Sequence, residues 1–421
     1  MASDDEKAGG EPRTGEATVT AEAIYRARAV VGSVARVTPV LESWTLAERS
    51  GGTRVVLKAE NLQRTGSFKL RGAVAKLAAL GDDAQRGVIA GSAGNHAWAL
   101  ALAARERGVP CEVVMPPDAP LGKIAGCRAL GATVIEGTDT VEACVALARE
   151  RAEQTGMAFV HPFDDADVIA GQGTIGLELL DQIPDLAKVI VPVGGGGLAS
   201  GVAVALKHAN PAIEVIGVQA AAVAAFPPSL QQGHAVEVAP ATTIADGIAL
   251  RRPGDLTLPL IGRWLDDVVT VSEEDIAEAM VLLMERAKLV VEGGGAVGVA
   301  ALLTGATRPA DEGTTCVILS GGNVDAGLLA SVARLHESKA GRRLVIFTRI
   351  ADRPGGLARL LDVIAQTRAN LLSVEHVREG VDLHVRETGV QLVVETRGTE
   401  HAEAVLGAVR GAGYEADRVR G

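Results

Sequence analysis

An α/β fold with mainly parallel sheets, divided into two lobes and followed by a smaller module of different pattern, is what this sequence predicts. Three observations carry the prediction. Short β-branched runs alternate with amphipathic helical stretches from about residue 22 to about residue 337. Only 2% of the residues are aromatic against 48% hydrophobic, so the cores must be built from Ala, Val, Leu and Ile. Such cores suit helices packed closely on strands buried on both faces. Near Lys339 the order of elements changes.

Taken in order, residues 1–20 are acidic and polar without an apolar stretch, and are expected to form a disordered tail rather than a secretory signal. Strands are expected at 55–58, 87–90, 111–115, 133–136, 189–193, 214–218 and 315–319, with helical stretches such as 97–106 and 140–154 between them. A first domain at 21–335 is large for a single sheet, so two lobes with a cleft between them are expected, the small lobe at roughly 88–165. Residues 336–343 read as a linker. Beyond it come a strand at 344–350, a helix at 355–367, strands at 370–378 and 390–397, a helix at 400–410 and a strand at 414–419. That βαββαβ order is the ferredoxin-like arrangement, giving a separate domain at 344–421.

Composition narrows the function. A net charge of −11 argues against nucleic acid or an anionic membrane surface as partner, and so few aromatics build no base-stacking platform. The four cysteines, Cys111, Cys127, Cys144 and Cys316, lack CxxC spacing, so no zinc site is expected and a reducing cytoplasm is. The longest uncharged stretch, 189–206, is broken by Pro192 and by glycines at 194–197, unlike a membrane span of about 20 apolar residues.

Three strand–turn–helix segments carry chemistry. In TGSFKLRGA, Lys69 stands at the start of a helical repeat formed by Leu70, Ala73, Val74, Leu77 and Ala78. A cation there meets the positive end of the helix at a cost of roughly 0.3–1 kcal/mol. Either it is a solvated lysine that tolerates this, or an amine whose charge is suppressed for covalent chemistry. VIVPV ends in Gly194, Gly195, Gly196 and Gly197 before the helical LASGVAVALKHA, a turn whose converging amides favour a phosphate. No Lys-Ser/Thr follows, which disfavours an NTPase. The run loosely fits GxGxxA, but the next strand closes with Gln219 where a dinucleotide site wants an acid, so a small phosphorylated cofactor without ribose fits better. GVIAGSAGNHAWALALAARERG puts Ser92, Gly94, Asn95 and His96 at a helix start, suited to a carboxylate or to simple capping. CVILSGGN puts Ser320 at the carboxyl end of a strand, where α/β sheets place ligands.

SFKLRGA, GSAGNHA, HPFDD followed by IAGQGT, VGGGGL, TIADGIA, VEGGGA and LSGGN occur in that order over about residues 23–323. The ordered set resembles the pyridoxal-phosphate enzymes of the tryptophan-synthase β fold (fold type II), specifically the threonine/serine dehydratase branch. ADRPGGLARLLDVIAQTRANLLSVEHVR resembles an ACT domain, an amino-acid-sensing module of ferredoxin-like fold. One ACT domain behind a dehydratase is similar to the single-ACT form of the threonine ammonia-lyases.

The resemblance implies pyridoxal 5'-phosphate as cofactor, with Lys69 bound covalently to its aldehyde and Phe68 beside its ring. It implies that Gly194, Gly195, Gly196, Gly197 and the Leu198 amide hold the phosphate, that Asn95 bonds the ring hydroxyl and that Ser320 faces the ring nitrogen. Ser92, Ala93, Gly94 and His96 would take the substrate carboxylate. The implied reaction is β-elimination of threonine, and of serine, to 2-oxobutanoate or pyruvate and ammonia. Racemases of this kind carry a serine where Ala93 stands, which favours elimination over racemisation. Trp98 replaces a glutamine usual in the family. Gln219, Val223 and Ala225 replace ligands of metal-dependent relatives, so no metal is expected. Asp352, Gly355, Gly356, Leu357 and Asn370 would contact an amino-acid effector such as isoleucine or valine, and a homodimer or tetramer is implied. A serine racemase, a sensor without catalysis and an NAD-dependent oxidoreductase remain as alternatives.

Overall fold

The computed structural model describes residues 19–52, 54–379 and 382–419. Most of the tail expected at 1–20 lies outside them, but Val19 is buried and the Thr20 hydroxyl accepts from the Ala23 amide, capping α1 (Ala21–Val34). The chain continues through β1 (Val40–Glu42), α2 (Trp44–Ser50), β2 (Val55–Ala59) and α3 (Lys69–Leu80). It then builds one lobe from β3 (Val88–Gly91), α4 (Asn95–Arg107), β4 (Cys111–Met115), α5 (Leu121–Ala129), β5 (Thr133–Glu136), α6 (Val141–Thr155) and β6 (Ala158–Phe159). The return runs through α7 (Ala166–Gln182), β7 (Leu186–Pro192), α8 (Gly197–Ala209), β8 (Glu214–Ala220), α9 (Phe226–Gln232) and α10 (Thr257–Trp264). It ends with β9 (Asp267–Val271), α11 (Glu273–Leu282), α12 (Gly293–Thr304) and β10 (Thr314–Leu319).

Two sheets result. The larger has six strands in the order β1-β2-β10-β7-β8-β9, and only β1 runs antiparallel to its neighbour. The smaller, β5-β4-β3-β6, is parallel throughout. Central strands β2, β3 and β10 are buried at every position, as parallel strands covered on both faces must be. Strands β1, β6 and β9 were not expected from sequence. All three are sheet edges, of three, two and five residues, held by a neighbour rather than by a pattern of their own.

Helix α3 is pressed against α7 through glycines. A methyl group at Gly171 would lie 2.5 Å from the Arg71 carbonyl, and one at Gly72 would lie 2.3 Å from Gln172 Nε2. Beneath this contact sits a buried charge cluster. Arg71 donates to Glu60 at 2.8 Å and to Glu178 at 2.6 Å, and Lys58 reaches Glu178 at 2.6 Å and the Thr38 carbonyl at 2.8 Å. Two cations and two carboxylates balance. Burial works against the charge on Glu60, but the Arg71 guanidinium beside it holds its carboxyl below the usual carboxylate range. Such a cluster is poor evidence of net stabilisation, but losing one member strands the others.

The contacts divide the chain into two units at Val324/Asp325. The second opens with α13 (Ala326–Lys339), whose N-terminal amides at Gly327 and Leu328 are capped by Asp325. Residues 336–339 of the expected linker therefore belong to a helix. There follow β11 (Arg343–Ala351), α14 (Gly356–Gln366), β12 (Asn370–Val377), β13 (Glu387–Glu395), α15 (Thr399–Gly411) and β14 (Ala416–Arg418). The four strands form one antiparallel sheet in the order β12-β13-β11-β14. Leu344, Ile346, Val390, Leu392 and Val394 bury one face of it against Leu360, Ile364, Val405 and Val409 of the helices.

Replacing Arg71 by Met is expected to lower unfolding free energy by about 3–5 kcal/mol, because Glu60 is left buried and unpaired. Denaturant titration checks this. Adding Glu60→Gln to that variant is expected to recover part of the loss.

Candidate active site

The carboxyl ends of β2, β10, β7 and β3 supply the turns around one cavity of about 270 Å³. Its lining includes Phe68, Lys69, Ser92, Ala93, Gly94, Asn95, His96, Gly194, Gly195, Gly196, Gly197, Leu198 and Ser320. Segments far apart in the chain thus meet where open α/β sheets bind their ligands.

The Lys69 turn is stitched to the end of β10. Ser67 pairs with Gly321, and the Phe68 amide donates to the Ser320 carbonyl at 3.0 Å. Gly66 adopts φ +72°, and a methyl group there would lie 2.3 Å from Asn323 Oδ1, so any other residue is strained at this position. Lys69 is the first residue of α3 and has no side-chain cap before it. Its Nζ donates to the Pro162 carbonyl at 2.8 Å and lies 5.2 Å from the centre of the Phe68 ring. Burial lowers its pKa to about 8, against the opposing pull of Glu292. Of the two readings open for this lysine, its lowered pKa favours the amine whose charge is suppressed.

After β7 the glycine turn leads directly into α8. Gly196 takes φ +94°, and side chains here would strike their surroundings: 2.4 Å from the Phe163 ring at Gly195 and 2.7 Å from the Phe163 carbonyl at Gly197. The loop is fixed from outside. Thr257 Oγ1 donates to the Gly195 carbonyl at 2.6 Å, and Asp164 accepts from the amides of Asp255, Leu256 and Thr257 at the start of α10. The first amides of α8, at Gly197, Leu198 and Ala199, are those a helix leaves unpaired. Together with the dipole they favour an anion.

At the end of β3, Ser92 Oγ accepts from the Gly94 amide at 3.2 Å and Gly94 precedes α4. The His96 ring lines the cavity but is bonded to backbone. It is buried, neutral with a pKa pushed down to about 3 by that burial, and its Nε2 donates to the Val160 carbonyl at 3.1 Å. Asn95 is held at both ends of its amide: Nδ2 donates to both oxygens of Glu292, at 2.8 and 3.1 Å, and Oδ1 accepts from Asn323 at 2.7 Å. Trp98 is outside the cavity. Its indole packs on Gly126 and donates to the Lys123 carbonyl at 2.9 Å.

Sequence reasoning did not single out Glu292, Asn323, Lys123, Phe163 or Ile248, all of which line the cavity. Most lie inside quoted motifs (VEGGGA, LSGGN, HPFDD, TIADGIA), which was the available signal. What no motif conveys is that the Glu292 carboxyl is buried, which raises its pKa to about 7.

In the second unit, Gly355 takes φ +81° ahead of α14, and a methyl group at Gly356 would lie 2.5 Å from the Ala351 carbonyl. Asp352 pairs with Arg378 at 2.9 Å, and Leu357 is half-buried beside them in sequence. Asn370 is elsewhere. Its rung of the sheet runs through Glu395 to Arg343, whereas the turn at 352–357 follows Ala351 at the other end of β11. Roughly 25 Å of strand separates the two ends at about 3.3 Å per residue. Within one chain the expected effector contacts therefore do not converge.

An amine whose burial makes its charge easier to shed and an anion cradle sharing one cavity, in a two-lobed parallel α/β frame, define an enzyme that works with a phosphorylated carbonyl cofactor. Residues 32–321 match the family model described as pyridoxal-phosphate dependent enzyme, and the chain belongs to that family. It is 45% identical over 94% of its length to L-threonine ammonia-lyase of Thermotoga maritima, covering 98% of that protein. The crystal structure of a threonine deaminase from T.th. superposes with TM-score 0.68 at 43% identity, over 73% of this chain and 99% of that one. Maize serine racemase gives TM-score 0.71 at 35% identity, over 76% and 99%.

The residues present fit the cofactor. The glycine turn leaves exposed amides where any Cβ would intrude, and the Lys69 amine is desolvated in the same cavity. Gly197→Ala sets a methyl group against the Phe163 carbonyl and is expected to weaken pyridoxal phosphate binding at least about tenfold, a loss of about 1.4 kcal/mol. Titrating the apoprotein by absorbance measures it.

Proposed function

We propose that this chain deaminates L-threonine to 2-oxobutanoate and ammonia, and L-serine to pyruvate and ammonia. The observation that carries the reading is the desolvated amine of Lys69 in a cavity that also holds the glycine cradle, in a chain nearly half identical to a threonine ammonia-lyase along almost its whole length. When bound, the cofactor holds the substrate nitrogen covalently and its conjugated ring takes up the electron pair released at the α-carbon.

The protein's part follows from its geometry. Lys69 would hold the cofactor at its aldehyde carbon, and as a free amine its neutral Nζ would take the substrate's α-proton. An amine with a pKa near 8 is far better suited to that than an exposed one, since more of it is unprotonated at neutral pH. The amides of residues 194–198 would hold the phosphate, with Phe68 beside the ring. Asn95 would orient the ring hydroxyl. Ser320 would face the ring nitrogen with a hydroxyl rather than a carboxylate, a partner that does not hold it protonated and so favours elimination over a long-lived carbanion. The turn at residues 92–96 takes the substrate carboxylate through its backbone, since the His96 ring is committed to Val160. Ala93 places a methyl group in the cavity wall and no second acid/base, which supports elimination over racemisation.

We infer further that residues 344–421 are an ACT domain of ferredoxin-like fold that binds an amino-acid effector. The strand order β12-β13-β11-β14, with helices after the first and third strands, supports this, as does the close backbone approach at Gly356.

Lys69→Ala is expected to reduce 2-oxobutanoate formation by at least about 10²–10⁴-fold and to remove the yellow absorbance of the holoenzyme. An active or still yellow variant would refute the assignment. Isoleucine or valine is expected to shift the threonine saturation curve of the full chain, and truncation after Lys339 to abolish that shift. A truncated chain that still responds would remove the regulatory role.

A further inference from the structure

Glu292 is a buried carboxyl that none of the chemistry above uses. It precedes α12, and its amide donates to the Gly321 carbonyl at 3.1 Å. A π-helical turn at Leu283–Ala287 and a left-handed Lys288, with φ 60°, deliver the chain to it. Both features are uncommon and gather at functional positions. The side chain is 7% exposed and lines the cavity with Lys69 and Asn95. Gly321 presses on it so closely that a methyl group there would lie 2.3 Å from Oε1.

No salt bridge reaches Glu292 among the described residues. Asn95 Nδ2 serves both its oxygens, and the other end of that amide is fixed by Asn323, which also donates to the Thr65 carbonyl at 2.8 Å. The charged groups facing it are Asp246, which disfavours its ionisation, and Lys123 on α5 and Lys69 on α3, which favour it. Burial dominates and raises its pKa to about 7.

The inference rests on Asn95 as partner of the cofactor's ring hydroxyl. That hydroxyl and Glu292 then share one amide. With both ionised, two anionic oxygens would meet in a site of low dielectric, an arrangement in which one of them must take a proton. We propose that Glu292 is a positioning residue that carries a proton whenever the cavity holds the cofactor ring, so that loading above neutral pH takes one proton from solvent onto its carboxylate. The neutral acid presents an O–H where the carboxylate presents only lone pairs.

The probe is 4-deoxypyridoxine 5'-phosphate, which keeps the phosphate and ring hydroxyl but has no aldehyde, so the titration of Lys69 does not enter through a covalent bond. Its Kd for the full-length apoprotein is measured at intervals from about pH 6 to about pH 9, for wild type and Glu292→Gln. The ratio of wild-type to variant Kd is expected to rise about tenfold per pH unit above about 7, as linkage to one proton requires. Calorimetry of the wild type in two buffers of different ionisation enthalpy is expected to show uptake approaching one proton at the alkaline end, a readout that needs no variant. Parallel Kd profiles, or no proton uptake, overturn the role of Glu292 while leaving the cofactor reading intact. Failure of the wild type to bind the probe at any pH overturns both.

Discussion

Taking the amine of Lys69 out of water is the constraint around which the first unit is organised. An ammonium in such a place loses hydration that the Pro162 carbonyl and the pull of Glu292 do not make good, so its charge becomes easier to shed. Two residues along the same helix, Arg71 is treated in the opposite way: fully buried, it is given two carboxylates and keeps its charge. The contrast separates an anchor from a reactive group. Arg71 ties α3 to α7 and to the segment after β2, and the helix so fixed holds Lys69 against the cavity.

The same economy of polar partners runs through the rest of the site. Turns after β2, β10 and β7 lie at one edge of the larger sheet because parallel strands deliver their carboxyl ends to the same side, and the turn after β3 of the smaller sheet lines the same cavity. Glycines let backbone rather than side chain form the wall. At 66, 195, 196 and 197 an added Cβ would strike Asn323, Phe163 or Phe226. Side chains that sequence alone would cast as ligands are partly spoken for, His96 by Val160 and Asn95 by Glu292 and Asn323. The site works through amides and one amine, with a carboxyl held close to neutrality at its edge.

Much of this was legible beforehand, for reasons that differ by residue. Lys69, the glycines at 194–197 and Ser320 stand at strand–helix junctions, where local pattern and ligand position coincide. Strands β1, β6 and β9 were not legible, since edge strands of a few residues owe their existence to the ladder beside them. Glu292 was missed because its identity is ordinary and only its surroundings are not. Asp325 capping α13 moved the boundary between units ahead of the expected linker, a distinction that depends on which helix end that aspartate serves.

Local order determined the fold class, the βαββαβ pattern of the second unit and the turns that hold chemistry, because periodicity and glycine placement are properties of neighbouring residues. Tertiary structure alone decided which of those turns share a cavity, which histidine and asparagine are already bonded, and that Asn370 lies a strand's length from the turn at 352–357. It also lowered the pKa of Lys69 and raised that of Glu292. A pKa is set by solvent and charge within a few ångströms, and those neighbours come from parts of the chain that only folding brings together.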